Sequence, residues 1–80
     1  MGALEIKTYP VGMLSTNCYF LIRKDTRQTV IIDPGADAER LKVKIEEQQL
    51  EPQAILLTHA HADHIMGVEY LKNAYQIPHP

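Results

Sequence analysis

The sequence predicts an α/β domain made of strands, then a strand–helix–strand unit, then a second helix. Three observations predict this class: apolar and polar residues alternate near the N-terminus, two short apolar runs flank an amphipathic segment, and apolar residues finally recur at helical spacing. Hydrophobic residues make up 45% of the 80 residues and charged residues 22%, which is typical of a folded chain. We therefore take residues 1–80 as one small domain or as part of a larger one.

The first half of the chain predicts three strands. Residues 4–11 mix apolar and polar side chains as a strand does, and Pro10 favours a sheet edge or a strand end. After a connection over residues 12–16, the alternation in residues 18–23 predicts a second strand. The β-branched run at residues 29–32 predicts a third strand that is buried on both faces and forms an antiparallel hairpin with the second.

The second half predicts a helix, a strand and another helix. Asp37 is a good N-cap, and a modest amphipathic stripe follows it with Ala38, Leu41, Ile45 and Gln48 on one face. Residues 54–57 form an apolar run that predicts a buried strand. A second helical stripe, at Ile65, Val68, Leu71 and Tyr75, predicts a helix that runs to about Tyr75.

The order of these elements predicts where a ligand site lies. The third strand, the first helix and the fourth strand form a unit whose connection is long enough for a right-handed parallel crossover. Asp33 and His59 each stand just past the carboxyl end of one of the two parallel strands. We therefore expect the two residues to converge at the edge of the sheet where open α/β sheets bind ligands.

Charge and composition exclude several classes of function. A net charge of −2 gives no general electrostatic reason to bind nucleic acid or an anionic membrane. No apolar stretch approaches the roughly 20 residues that a membrane-spanning helix needs. The single cysteine, Cys18, allows no disulfide within the chain, and the first residues lack the pattern of a signal peptide. We expect a cytoplasmic protein.

A cluster of candidate metal ligands follows the fourth strand. Three of the four histidines and one aspartate lie within six residues, as His59, His61, Asp63 and His64. Imidazole and carboxylate groups are the usual ligands of Zn²⁺ and similar ions. In an extended loop His59 and His61 can bind one ion, while the adjacent Asp63 and His64 diverge toward a second ion or another side of the first. The pattern favours a hydrolytic pair of metals, and the alternative is a solvated polar loop.

The segment Thr58–Gly67 matches the motif T-H-x-H-x-D-H and closely resembles the metallo-β-lactamase superfamily. Ile31–Gly35 resembles the earlier aspartate motif of that family. Val11–Gly12, followed by Thr16–Tyr19, resembles its small glyoxalase II-like (hydroxyacylglutathione hydrolase-like) members. Met66 stands where a glycine is common in the family. The resemblance implies the N-terminal half of an αββα sandwich.

The resemblance also implies roles for individual residues. His59 and His61 would bind the first metal, and Asp63 and His64 the second. Asp33 would orient the metal loop without binding metal itself, although it could simply form the turn before Pro34. The implied metal is Zn²⁺, with two sites per complete domain and iron or manganese as alternatives.

The implied activity is hydrolysis of a small-molecule ester or thioester, such as a hydroxyacylglutathione, by attack of metal-bound hydroxide. Asp63 is a candidate acceptor of the nucleophile's proton, and a β-lactam or a phosphodiester is an alternative substrate. The tyrosines are expected to pack rather than bind substrate, and Cys18 to be a buried strand residue rather than a reactive thiol.

Members of this family are normally more than twice as long, and their later ligands have no counterpart in this sequence. His79, between two prolines, does not match the context of such a ligand. We therefore expect the isolated 80 residues to be incomplete as a catalyst. The alternative is a non-catalytic metal-binding or interaction module completed by another chain. A single layer of helices would leave one sheet face bare, exposing Phe20, Ile31 or their neighbours and favouring self-association or a complementary second half.

Overall fold

The structure, a computed structural model, describes residues 3–11, 16–35, 37–58 and 62–77. The elements follow one another as β1 (Leu4–Val11), β2 (Thr16–Arg23), β3 (Gln28–Ile32), α1 (Ala38–Glu47), β4 (Glu51–Leu56) and α2 (Ala62–Tyr75). The predicted order of elements is therefore correct. The α1 helix follows Asp37 as predicted, but the Asp37 side chain makes no capping hydrogen bond.

The four strands form one mixed sheet in the order β1-β2-β3-β4. The β2 strand pairs antiparallel with both β1 and β3, whereas β3 and β4 are parallel. This confirms the predicted hairpin and the predicted parallel pairing of the third and fourth strands. The β4 strand begins at Glu51 rather than at Ala54, and the register between β3 and β4 shifts beside Thr29 and Val30. Pro52 is tolerated there because β4 is an edge strand of the described sheet.

The core lies between the two helices and one face of the sheet, which we call the inner face. Its largest fully buried apolar side chains are Phe20, Ile22, Ile31, Leu41, Ile45 and Leu71. The predicted stripe of α1 is confirmed, with Ala38, Leu41 and Ile45 buried and Gln48 half-buried. Among the described residues, no helix has the length and apolar character needed to cross a bilayer.

The helices of the described residues cover one face of the sheet, and two expectations about burial are wrong. The β3 strand is not buried on both faces, because buried Thr29 and Ile31 alternate with half-buried neighbours. In the run 54–57 only Ile55 is buried, while Leu56 and Leu57 are 48% and 40% exposed. Successive side chains of a strand point to opposite faces of the sheet. The described helices therefore bury only every second residue of β3.

The opposite face, which we call the outer face, is apolar and bare. Phe20 and Ile31 are each 0% exposed beneath the helices, so the expectation that they are exposed is wrong for those two residues. Of their neighbours, Tyr19 is 36% exposed, and Leu21, Val30 and Ile32 are half-buried. Facing partners across the strands give two outer rows: Ile6, Leu21, Val30 and Ala54, and Thr8, Tyr19, Ile32 and Leu56.

Candidate metal centre

Asp33 stands at the point where β3 ends and the site begins. Its backbone N–H donates to the carbonyl oxygen of Leu56 at 2.9 Å, which continues the pairing of the parallel strands by one step. Its φ of 55° is left-handed, a conformation that aspartate adopts more readily than most residues. The residue is only 4% exposed. Its carboxylate is therefore held at the carboxyl edge of the sheet, as the sequence predicted.

Both carboxylate oxygens of Asp33 accept hydrogen bonds from Thr58. The backbone N–H of Thr58 donates to Oδ1 at 2.8 Å, and the Thr58 hydroxyl donates to Oδ2 at 2.5 Å. Hydrogen bonds to an ionised carboxylate are the short and strong ones. They tie down the residue immediately before His59, so Asp33 fixes the start of the candidate ligand segment.

The other end of the ligand segment is fixed by a close contact between glycines. The α2 helix begins at Ala62, so Asp63 and His64 belong to its first turn. A Cβ at Gly67, one turn further on, would overlap the carbonyl oxygen of Gly35 and lie 3.0 Å from its carbonyl carbon. Only glycine allows the backbone of α2 to approach the turn after β3 this closely.

The ligands themselves stay a prediction. His59, His61 and His79 lie outside the described residues, and so do the side chains of Asp63 and His64. Among the side chains that the structure does describe, no three His, Cys, Asp or Glu groups are placed to hold a metal ion. The predicted donor set of three imidazoles and one carboxylate fits Zn²⁺, iron or manganese by its chemistry.

Sequence reasoning identified Asp33 but missed its partner and the glycine contact. Thr58 could have been found from its position, because it lies between the end of an apolar run and the first histidine of the ligand segment. Gly67 carried the signal of a glycine inside a helical pattern, which usually has a packing reason.

Cys18 plays no part as a nucleophile in the described structure. It is 0% exposed, and burial, reinforced by the negative charge of Asp33, raises the pKa of its thiol from 9.0 to about 12, while Arg40 opposes the shift. A thiol that stays protonated is unreactive at neutral pH. This confirms Cys18 as a buried strand residue.

Two of the four tyrosines pack as expected. The ring of Tyr9 meets that of Phe20 edge-on at 4.9 Å, and its hydroxyl accepts a hydrogen bond from Gln48 Nε2 at 2.9 Å. Tyr75 packs against the core, and burial raises the pKa of its hydroxyl to about 12. Tyr19 and Tyr70 are instead partly exposed.

Comparison with known families decides the assignment. The family model for the metallo-β-lactamase superfamily matches residues 11–80, which include Asp33, Thr58 and the whole candidate ligand segment. The chain belongs to this superfamily. Membership agrees with the mixed sheet, the crossover and the position of the Asp33–Thr58 pair at the carboxyl edge.

Curated relatives in the superfamily are considerably longer than this chain. A protein of Bacillus subtilis named "Probable metallo-hydrolase YqgX" is 45% identical over 75 residues, covering 94% of this chain and 35% of the relative. "Hydroxyacylglutathione hydrolase GloC" of Haemophilus influenzae is 40% identical over 74 residues, covering 92% of this chain and 34% of the relative. The chain thus spans about a third of the length of these relatives.

Solved structures show the same fold and the same partial coverage. The crystal structure of the BLEG-1 B3 metallo-beta-lactamase matches with a TM-score of 0.84 and 46% identity, over 92% of this chain and 35% of that one. That of TTHA1623 in a di-iron-bound form matches with a TM-score of 0.76 and 38% identity, over 90% and 35%. The 80 residues are therefore a partial domain of the metallo-β-lactamase fold.

Proposed function

We propose that this chain supplies part of the active site of a metal-dependent hydrolase that cleaves a thioester such as a hydroxyacylglutathione. The observation that carries the proposal is the pair of hydrogen bonds from Thr58 to the buried Asp33 carboxylate. They hold Thr58, the residue before His59, at the sheet edge where α/β proteins bind ligands. The likeness to a hydroxyacylglutathione hydrolase, 40% identical, supports the thioester as substrate.

The metals are assigned to the ligand segment. His59 and His61 would hold the first, and Asp63 and His64 the second. When bound, such a pair lowers the pKa of water toward neutrality and polarises the carbonyl of the substrate. Zn²⁺ is our first choice, and the likeness to a protein solved in a di-iron-bound form supports iron as the alternative.

The protein's own groups then have separate tasks. Both carboxylate oxygens of Asp33 accept hydrogen bonds from Thr58, so the task of Asp33 is to orient the residue that precedes His59. Asp63 is the candidate proton acceptor. Cys18, buried and protonated, contributes packing alone.

We propose further that the isolated chain turns over little or no substrate. It spans about a third of its relatives and offers four candidate ligands for two metals, so each site is half built. The remaining ligands and the substrate contacts would come from the rest of a complete domain. We keep the cytoplasm as the proposed location, because the buried free thiol of Cys18 suits a reducing compartment.

A chimera tests the activity. The chain replaces the matching N-terminal third of the Bacillus subtilis relative, to which it is 45% identical, and hydrolysis of a glutathione thioester is measured with excess Zn²⁺. Activity should appear and be abolished by chelators. Asp63→Asn should reduce the rate most, because an amide oxygen is a poor substitute for an anionic ligand. Asp33→Asn should lose about 10–100-fold, as partners of metal ligands commonly do.

Cys18→Ala is the control and should retain most of the rate. A β-lactam and a phosphodiester are assayed in parallel. If the chimera binds two metals and hydrolyses none of the three, the thioesterase proposal is wrong and the metal-binding module takes its place. Full activity in Asp63→Asn would contradict the assigned ligand roles.

A further inference from the structure

The turn formed by residues 33–35 contacts two residues that flank the ligand segment, residues 59–64. At its first residue, the Asp33 carboxylate accepts two hydrogen bonds from Thr58, just before His59. At its last residue, the Gly35 carbonyl lies against Gly67, three residues after His64. All four candidate ligands fall between these two contacts.

Gly35, like Gly67, has close neighbours that a side chain at its position would meet. Gly35 has a left-handed φ of 66°, and a Cβ built on it would lie 2.9 Å from Val11 Cγ2. Val11 is itself buried, 1% exposed. Gly35 therefore has Val11 close by as well as Gly67, and a shift of the turn would disturb these contacts or the Asp33–Thr58 pair.

Helix propensity does not account for Gly67. Glycine inside a helix is less favourable than alanine, so an unconstrained position would gain stability from the substitution. At Gly67 a methyl group would overlap the Gly35 carbonyl oxygen, and backbone cannot swing aside as the end of a flexible side chain does. Position 67 therefore requires glycine because the carbonyl group of Gly35 lies against it.

We propose that Gly67 is a positioning residue of the metal centre, which admits the Gly35 carbonyl against α2 and so fixes the first turn of α2 relative to the Asp33–Thr58 pair. The consequence is a fixed position of the first turn of α2, to which Asp63 and His64 belong, relative to Thr58, the residue before His59. Gly67 touches no metal. The inference rests on the proposed metal-binding function and adds to it the element that determines the metal spacing.

The first test uses Co²⁺ as a spectroscopic probe on the 80-residue chain. Gly67→Ala should weaken Co²⁺ binding by about 10–100-fold, as loss of groups that orient ligands does, and should change the visible absorption of the bound ion. Leu71→Ala is the matched control, because Leu71 is a fully buried residue of the same helix. It should lower stability yet leave the spectrum of bound Co²⁺ unchanged.

Val11→Ala provides a rescue and a milder variant. Removing Cγ2 gives Gly35 room to withdraw, so Gly67→Ala combined with Val11→Ala should recover part of the lost affinity. If Gly67→Ala alone does not fold, the double variant carries the measurement and should bind Co²⁺ more weakly than Val11→Ala. Equal affinity of those two proteins would overturn the proposal.

A metal-free measurement separates this inference from the proposed function. The Thr58 amide, which donates to Asp33, should exchange its hydrogen faster in Gly67→Ala than in Leu71→Ala at matched global stability. Unchanged exchange together with unchanged Co²⁺ binding removes the role of Gly67 alone. If the parent chain binds Co²⁺ no better than its variant with His59→Ala and His61→Ala, the metal function fails as well, and Gly67 is then a packing residue.

Discussion

Asp33 joins two loops that are 25 residues apart in sequence. It adopts a left-handed conformation to do so and directs both carboxylate oxygens at one residue, Thr58. The Asp33 carboxylate stabilises the fold because both of its oxygens accept hydrogen bonds from Thr58. Asp33 therefore contributes both to stability and to the orientation of the ligand segment. Substitutions at Asp33 and at Thr58 measure its contribution to stability.

Asp33→Asn should destabilise the chain by about 1–3 kcal/mol, because it removes the charge that strengthens both hydrogen bonds from Thr58. Thr58→Val is the matched variant. It removes the hydroxyl bond and keeps the backbone bond, so its loss should be smaller. Urea unfolding of both variants measures the difference, and an equal or larger loss in Thr58→Val would contradict the greater loss expected for Asp33→Asn.

Cys18 predicts a loss of stability in alkali. The folded chain keeps the thiol protonated up to about pH 12, whereas the unfolded chain releases the proton from about pH 9.0. Stability is thus complete below pH 9 and falls as pH rises toward 12, by about 1.4 kcal/mol for each pH unit per proton. Unfolding measured across this range in Cys18→Ala should show a shallower decline just above pH 9.

Tyr75 provides the control for the alkaline prediction. Burial, with the charge of Glu46, raises the pKa of its hydroxyl from 10.0 to about 12, so it adds to the decline only above pH 10. Tyr75→Phe should therefore leave the slope between pH 9 and 10 unchanged. If that variant instead removes the decline below pH 10, the assignment to Cys18 is wrong.

At the scale of the elements, the connection from β4 to α2 predicts a metal affinity that depends on pH. Imidazoles must lose their proton to bind metal, and they protonate near pH 6.5 in model peptides. Metal content after dialysis should be substoichiometric at neutral pH, because each site is half built, and should vanish below about pH 5–6. Equal metal content in the variant with His59→Ala and His61→Ala would show that these residues are not ligands.

Sequence patterns predicted the bounds of the strands and helices better than the burial of their side chains. The bounds of β1, residues 4–11, are as predicted, and the α2 helix ends at Tyr75 as predicted. Alternation and helical spacing are local properties, so a single sequence carries them. The burial of Leu56 and Leu57 was predicted wrongly, because an apolar run looks the same in sequence whether or not a helix covers it.

The site could be predicted in part for a related reason. Asp33 precedes Pro34 and Gly35 at the end of a strand, and that local pattern located it at the sheet edge. Its bond to Thr58 and the contact between Gly35 and Gly67 depend on how distant segments meet. Such contacts are determined by tertiary packing, which spacing along one chain does not encode.

At the scale of the molecule, the two faces of the sheet differ in how they meet water. The inner face is sealed by α1 and α2, while the outer face leaves Leu4 67% and Ile6 64% exposed beside partly buried Leu21. Contiguous apolar surface of this kind usually marks a place where other protein packs. Relatives about three times as long have further chain with which to cover such a face.

Alone in solution, the chain should therefore pair with a second copy through the outer face. Light scattering at tens of micromolar should give a mass above that of the monomer. Ile6→Lys should shift the population toward monomer, because it places a charge within the outer row that joins Ile6 to Leu21 and Val30. Val43→Lys makes the same change at a 54% exposed apolar residue of α1, away from the sheet, and should leave the mass unchanged. A sharp monomer in the parent chain, or equal effects of the two lysines, would show that the outer face does not mediate association.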